Sequence, residues 1–167
     1  TSKAWQSLAA KDYDAVFVSA GAHGSRKLGI EGENLAGVDS GVEFLRENGT
    51  AGSKPHVGEN VVVIGGGNVA VDVARTALRL GAKKVELVSL EKHGEMPAYE
   101  DEIKATIDEG IVIRNGWGPN RIIGNGSVSE IELKECTEVF DENGKFRPVY
   151  NTDNLRKIKA DQVIVAI

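Results

Sequence analysis

Apolar positions change their spacing from one stretch of the chain to the next. Asp14-Ala15-Val16-Phe17-Val18-Ser19-Ala20 is a short β-branched run closed by Gly21, the pattern of a buried parallel strand. Gly41 to Glu47 predicts a short helix. Residues 48–58 hold several breakers and no periodic apolar face, so they read as a linker. Val61-Val62-Val63-Ile64 is again continuous, as in a strand covered on both faces. Directly after a glycine cluster, Val69, Ala70, Val73, Ala74, Ala77 and Leu78 recur at helical spacing and leave Asp72, Arg75 and Arg79 outward. Gly81 supplies a left-handed stop, and Val85 to Leu90 predicts a second strand. Together these make a β-α-β unit of about the ~30 residues that such a unit needs.

Pro97 opens a further predicted helix, with Tyr99, Ile103 and Ile107 as its apolar face and Gly110 as its stop. Ile111-Val112-Ile113 makes a third strand. Beyond it, runs such as Val128 to Leu133 alternate between the turn signals Gly124-Asn125-Gly126 and Asp141-Glu142-Asn143-Gly144, which predicts an antiparallel meander. The closing run Asp161 to Ile167 echoes Tyr13 to Ala20, although any two buried strands look alike. The chain starts at Thr1 without an initiator methionine and stops inside an apolar run, so a piece excised from a longer protein is expected.

The strand-to-helix junction carries the chemistry. Gly65-Gly66-Gly67-Asn68-Val69-Ala70 fits G-x-G-x-x-G/A directly after one predicted strand and before one helix. Gly65 lets the chain turn sharply out of the strand, Gly67 leaves room for a pyrophosphate against the backbone, and Ala70 lets the helix approach the sheet. The first turn then offers N–H groups and the positive dipole end to phosphates through Gly65, Gly66, Gly67, Asn68 and Val69. A tight βα turn that needs glycine only for its shape, or a site for a methyl donor such as S-adenosylmethionine, would use the same residues. Glu91 follows Gly67 by about 24 residues, close to the ~20 expected of a ribose-binding acid at the second strand end. A carboxylate there repels a 2′-phosphate and favours NADH, with Lys92 as a neighbouring cation. Glu91 as a plain solvated residue is the alternative.

Other constellations point less far. Glu100, Asp101 and Glu102 sit in a first helical turn, where acids complement the dipole, and Asp72 does the same with Arg75 at i,i+3. His23, His56 and His93 lack ligand spacing, so no metal is expected. Cys136 is the single cysteine, which leaves no internal disulfide or cluster site and predicts an inert thiol in a reducing, cytoplasmic setting. Asn143-Gly144-Lys145-Phe146 lacks the hydroxyl of a P-loop, and no Tyr-x-x-x-Lys pair follows a tyrosine. No catalytic acid or base is therefore expected: the chain holds a cofactor. A net charge of −5 and a pI near 5.3 argue against nucleic acid or an anionic membrane as partner. No apolar run approaches the ~18 residues of a membrane span.

At these residues the chain resembles the small (β) subunit of glutamate synthase and its relatives, including the flavin–nicotinamide half of dihydropyrimidine dehydrogenase and, more distantly, adrenodoxin reductase. The carrying segments are Tyr13 to Ala22, Val63 to Arg75, Glu95-Met96-Pro97-Ala98 and Asp161 to Ile167, with Gly65–Arg75 the most specific. The resemblance implies an α/β fold: a Rossmann-like NAD(P)-binding domain with a parallel sheet plus an antiparallel β-meander, flanked by a partial FAD-domain segment. It implies residues 1–47 in the FAD domain, 48–57 as linker, 58–160 as the NAD(P)H-binding domain, and 161–167 as a strand returning to the FAD domain. It also implies hydride transfer from NAD(P)H to an FAD held by the longer parent, then electron passage through an iron–sulfur domain to a larger oxidoreductase subunit. Many relatives end the second strand with Arg-Arg for an NADPH 2′-phosphate, where this chain has Leu90-Glu91. Glu102 matches an acid near the nicotinamide end. A non-catalytic NAD(H)-sensing module would carry the same glycine turn and is the rival reading.

Overall fold

In the computed structural model, Asn60–Ile64 is a strand with four of its five residues buried, because β-branched side chains pack on both faces of the sheet around it. The structure describes residues 15, 17, 24, 26–49 and 56–167. The expected first strand, Asp14 to Ala20, apart from residues 15 and 17, and most of the linker lie outside the described residues. In chain order the elements are β1 (Val38–Ser40), α1 (Gly41–Gly49), β2 (Asn60–Ile64), α2 (Asn68–Arg79), β3 (Lys84–Ser89), α3 (Glu100–Asp108) and β4 (Val112–Asn115). The meander follows as β5 (Trp117–Asn125), β6 (Ser127–Phe140) and β7 (Phe146–Lys159), and β8 (Gln162–Val165) comes last.

Five strands form one parallel sheet in the order β1-β8-β2-β3-β4, and β5-β6-β7 form a separate antiparallel sheet. The run expected to return to the FAD domain is thus β8, inserted between β1 and β2 with Val62 opposite Val163. β1 and α1, from the segment expected to belong to that domain, lie against the same sheet and helix α2.

Strand alternation divides the core in two. Val61, Val63, Val85, Leu87 and Ile164 point to the helices and meet Ala70, Val73, Ala74 and Ala77 of α2. Val62, Ile64, Val88 and Val163 point the other way and meet Ile122, Ile131, Leu133 and Ile158 of the meander. The protein is therefore three layers, with helices, parallel sheet and meander in that order, and each fully buried aliphatic side chain contributes about 1.5–3 kcal/mol. Among the described residues no helix is long and apolar enough to cross a membrane.

One helix differs from its predicted face. Tyr99 stands at the N-cap of α3 and is 71% exposed, and Ile107 is 52% exposed. Ile103 packs on the core, and Thr106 is the buried residue, its hydroxyl donating to the Glu102 carbonyl at 2.7 Å. The stripe that docks on α2 is polar. Arg75, expected outward, pairs with Glu102 and with Glu109 of this stripe. Apolar periodicity does not report such a contact.

Candidate functional site

The glycine turn emerges at the carboxyl end of β2, where the chain passes to β3 on one side and β8 lies on the other. This is the switch point at which parallel α/β sheets open a crevice. The three glycines serve different ends. Gly65 has φ 149°, and a Cβ there would overlap the Ala166 carbonyl oxygen and come within 3.0 Å of the Ala70 Cβ. Packing alone demands glycine at 65 and a small side chain at 70. A Cβ at Gly66 would overlap the Glu91 carboxylate and lie 2.8 Å from the Ser89 hydroxyl oxygen. Gly67 has φ −91° and ψ 176°, extended backbone open to any residue, and a Cβ there would meet nothing within 4 Å. The fold does not need glycine at 67. The space in front of it is what glycine keeps open.

Gly67 is the N-cap of α2, and no side chain caps this end. The first bonds back to the turn are the Ala70 and Val71 N–H groups donating to the Gly67 carbonyl, at 3.0 and 3.2 Å. The N–H groups before them, at Asn68 and Val69, have no intrahelical acceptor and point along the dipole out of the helix. The Asn68 side chain turns to α3, its Oδ1 accepting from the Tyr99 N–H at 2.9 Å, while the Ala98 N–H donates to the Gly66 carbonyl at 3.1 Å. Residues 98 and 99 thereby fix the shape of the turn without a ligand.

A cavity of about 820 Å³ opens in front of the turn. Gly65, Gly66, Gly67, Asn68 and Val69 line one side, with Leu90 and Glu91 beside them, and the strand ends at Ile64, Val88 and Val165 form the base. Glu91 faces the turn, its carboxylate accepting from the Ser89 hydroxyl. The opposite wall is the meander, through Trp117, Pro119, Lys134, Phe146, Pro148 and Tyr150. The two walls are wired together: the Gly116 N–H donates to the Glu91 carbonyl at 2.9 Å, and the Cys136 N–H donates to the Gly116 carbonyl at 2.8 Å.

The structure thus brings together every predicted site residue from Gly65 to Val69 with Leu90 and Glu91, and sets Ala70 beneath them. Glu102 is not among the residues lining the cavity. It is held on α3 by its ion pair with Arg75, because the acidic side of that helix faces α2. Lys92, expected as the neighbouring cation, is exposed and absent from the cavity wall. The cation that the meander places there is Lys134, whose Nζ lies 4.3 Å from the centre of the Tyr150 ring. Lys134 carries no local motif, since only the folding of β6 over the crevice brings it near Glu91. Cys136 is 3% exposed, and burial pushes its thiol above the ordinary value of 9.0, the state of an inert thiol.

A family model of pyridine nucleotide-disulphide oxidoreductases matches residues 4–167. The chain belongs to this family. Among curated proteins, it is 36% identical over 145 residues to the NADP(+)-dependent formate dehydrogenase subunit beta of Moorella thermoacetica, covering 83% of this chain and 20% of that protein. It is 34% identical over 169 residues to the glutamate synthase [NADPH] small chain of Escherichia coli K12, covering 93% of this chain and 36% of that one. The chain therefore spans about a fifth to a third of these relatives. Among solved structures it superposes on Mycobacterium tuberculosis FprA in complex with NADPH with a TM-score of 0.74 at 21% identity, over 89% of this chain and 48% of that one. That likeness speaks for the fold.

Proposed function

We propose that the chain holds NAD(P)H at the glycine turn and presents it for hydride transfer to FAD, as the nicotinamide-dinucleotide-binding part of a larger flavin-dependent oxidoreductase. The observation that carries this reading is Gly67: its backbone suits any residue, yet the space before it is open and faces an uncapped helix N-terminus. A pyrophosphate in that space would accept from the N–H groups of Gly66, Gly67, Asn68 and Val69, whereas the Gly65 N–H, expected to join them, instead donates to the Val88 carbonyl at 2.9 Å. A diphosphate suits the positive dipole end. Glu91 would accept from the adenosine ribose hydroxyls, with Leu90 against the adenosine. Ala70 would act only by letting α2 sit close. When bound, the nicotinamide supplies the hydride, and this chain's residues bind, orient and shield it.

The parent assembly belongs to the same proposal. Curated relatives are named as subunits of glutamate synthase, formate dehydrogenase and an NADPH-Fe(3+) oxidoreductase, which supports a larger partner subunit. An iron–sulfur domain as electron acceptor is proposed with it from the family resemblance. A cytoplasmic setting and the division of the chain near residues 47 and 160 are proposed with it, β1 and β8 being the strands that would lead from and to the FAD domain. The test is calorimetric titration of NADH and NADPH into the protein. Saturable binding of one dinucleotide per chain is expected; heat that does not saturate with either dinucleotide at millimolar concentration would overturn the reading.

A further inference from the structure

The strand end that should select the cofactor carries a carboxylate, while the relatives named above are NADPH proteins. A 2′-phosphate brings about −1.5 to −2 charges and is repelled by Glu91 unless a cation meets it there. We propose that Lys134, carried on β6 over the Tyr150 ring, is the residue that receives the 2′-phosphate of NADP(H). The proposal rests on the dinucleotide reading above and deepens it.

Three observations place Lys134 at the adenosine end. It lines the same cavity as Leu90 and Glu91. Its cross-strand partner is Gly118, and a Cβ at Gly118 would lie 2.7 Å from both Leu90 Cδ2 and Tyr150 Cε1. The missing side chain at 118 is what lets the Tyr150 ring come up beside Leu90. Cys136, two residues along β6 from Lys134, reaches Glu91 through the two backbone bonds at Gly116. The ammonium group therefore stands on the meander wall of the cavity that Leu90 and Glu91 also line. Glu91, already bonded to Ser89, and Lys134 frame one spot with opposite charges: the acid suits the ribose 3′-hydroxyl and the free diol of NADH, the ammonium a phosphate. The expected NADH preference is then reduced or reversed by a residue from another element. Arg26 and Lys27 line the cavity from the segment before β1 and are the competing cations.

The experiment compares dissociation constants of NADPH and NADH for the wild type, Lys134→Met, Lys134→Arg, and the controls Arg26→Ala and Lys27→Ala, each checked for an unchanged melting temperature. Methionine keeps the aliphatic contact with Tyr150 and removes the charge. Lys134→Met should weaken NADPH about 10-fold or more and leave NADH within about twofold, while Lys134→Arg keeps both. The wild type should also lose NADPH affinity more steeply with salt than Lys134→Met does. Equal loss for both dinucleotides, no loss for either, or an NADPH-selective loss confined to the Arg26 or Lys27 variants would overturn the assignment. A wild type that binds neither dinucleotide sinks the dinucleotide reading itself, and the inference with it.

Discussion

Replacing Gly67 separates a ligand-binding turn from a merely tight one. Its backbone lies at φ −91° and ψ 176°, and an added Cβ touches nothing within 4 Å, so valine fits the fold. The folding cost is the weaker N-cap preference of valine, about 1 kcal/mol, which lowers the melting temperature by roughly 2–4 °C in a chain of this size. The binding cost is larger, because the branched side chain fills the space where phosphate oxygens would approach the N–H groups. Each charge-assisted hydrogen bond contributes about 1.5–3 kcal/mol, so losing two or displacing both predicts at least ~2.7 kcal/mol, or 100-fold in affinity. Gly65→Ala should behave in the opposite way. There the new Cβ overlaps the Ala166 carbonyl at a φ of 149°, and stability falls before binding can be read. Calorimetric titration and thermal melts of Gly67→Ala, Gly67→Val and Gly65→Ala give the comparison. Unchanged dinucleotide affinity in a folded Gly67→Val protein would show that the turn is structural only.

Three other outcomes are expected. The double variant Leu90→Arg, Glu91→Arg should gain NADPH affinity by about 10-fold relative to NADH, from Coulomb energy at an effective dielectric near 20; no gain would mean that this strand end is not the ribose site. Glu86 is 1% exposed between Lys84 and Arg114, and although burial pushes its carboxyl up, hydrogen bonds from Arg114 and Lys84 outweigh this and hold it below its ordinary 4.5. Its stabilisation is therefore present above that value and lost as pH falls through the lowered one, so Glu86→Gln should cost about 1–3 kcal/mol at neutral pH and converge on the wild type in acid, read by chemical denaturation across that range. Cys136 should resist alkylation in the native protein and react on unfolding, since its thiol is buried and raised; fast native labelling would contradict the packing of β6.

Where one strand or turn carries its own signal, the chain is readable in advance. Val61 to Ile64, the helical spacing from Val69 to Leu78, and the glycines between them are local patterns, and they position the glycine-turn side of the proposed site. The side proposed for the adenosine is read only to Glu91, because the other wall of the cavity comes from β5, β6 and β7, joined to it by contacts far apart in sequence. Lys134 looks like one more solvated strand lysine until Gly118 and Tyr150 bring it over the crevice. The face of α3 is misread for a related reason: Glu102 and Glu109 close on Arg75, a contact made of charge rather than of apolar period.

The place of β8 in the sheet has a consequence for how the chain assembles. During synthesis β2 emerges with β3 and β4 soon after it, and the β-α-β unit around α2 can form from contacts of short sequence separation. The other side of β2 waits for Gln162 to Val165, about 100 residues later. Until they arrive, a row of unpaired N–H and C=O groups at the middle of the finished sheet is an exposed edge, bare to any other extended segment. The glycine turn shares that interval, because Gly65 is seated against Ala166. The crevice in front of the turn therefore gains its base only once Gln162 to Ala166 have been made, and until then the open side of β2 is a place where another extended segment could mispair.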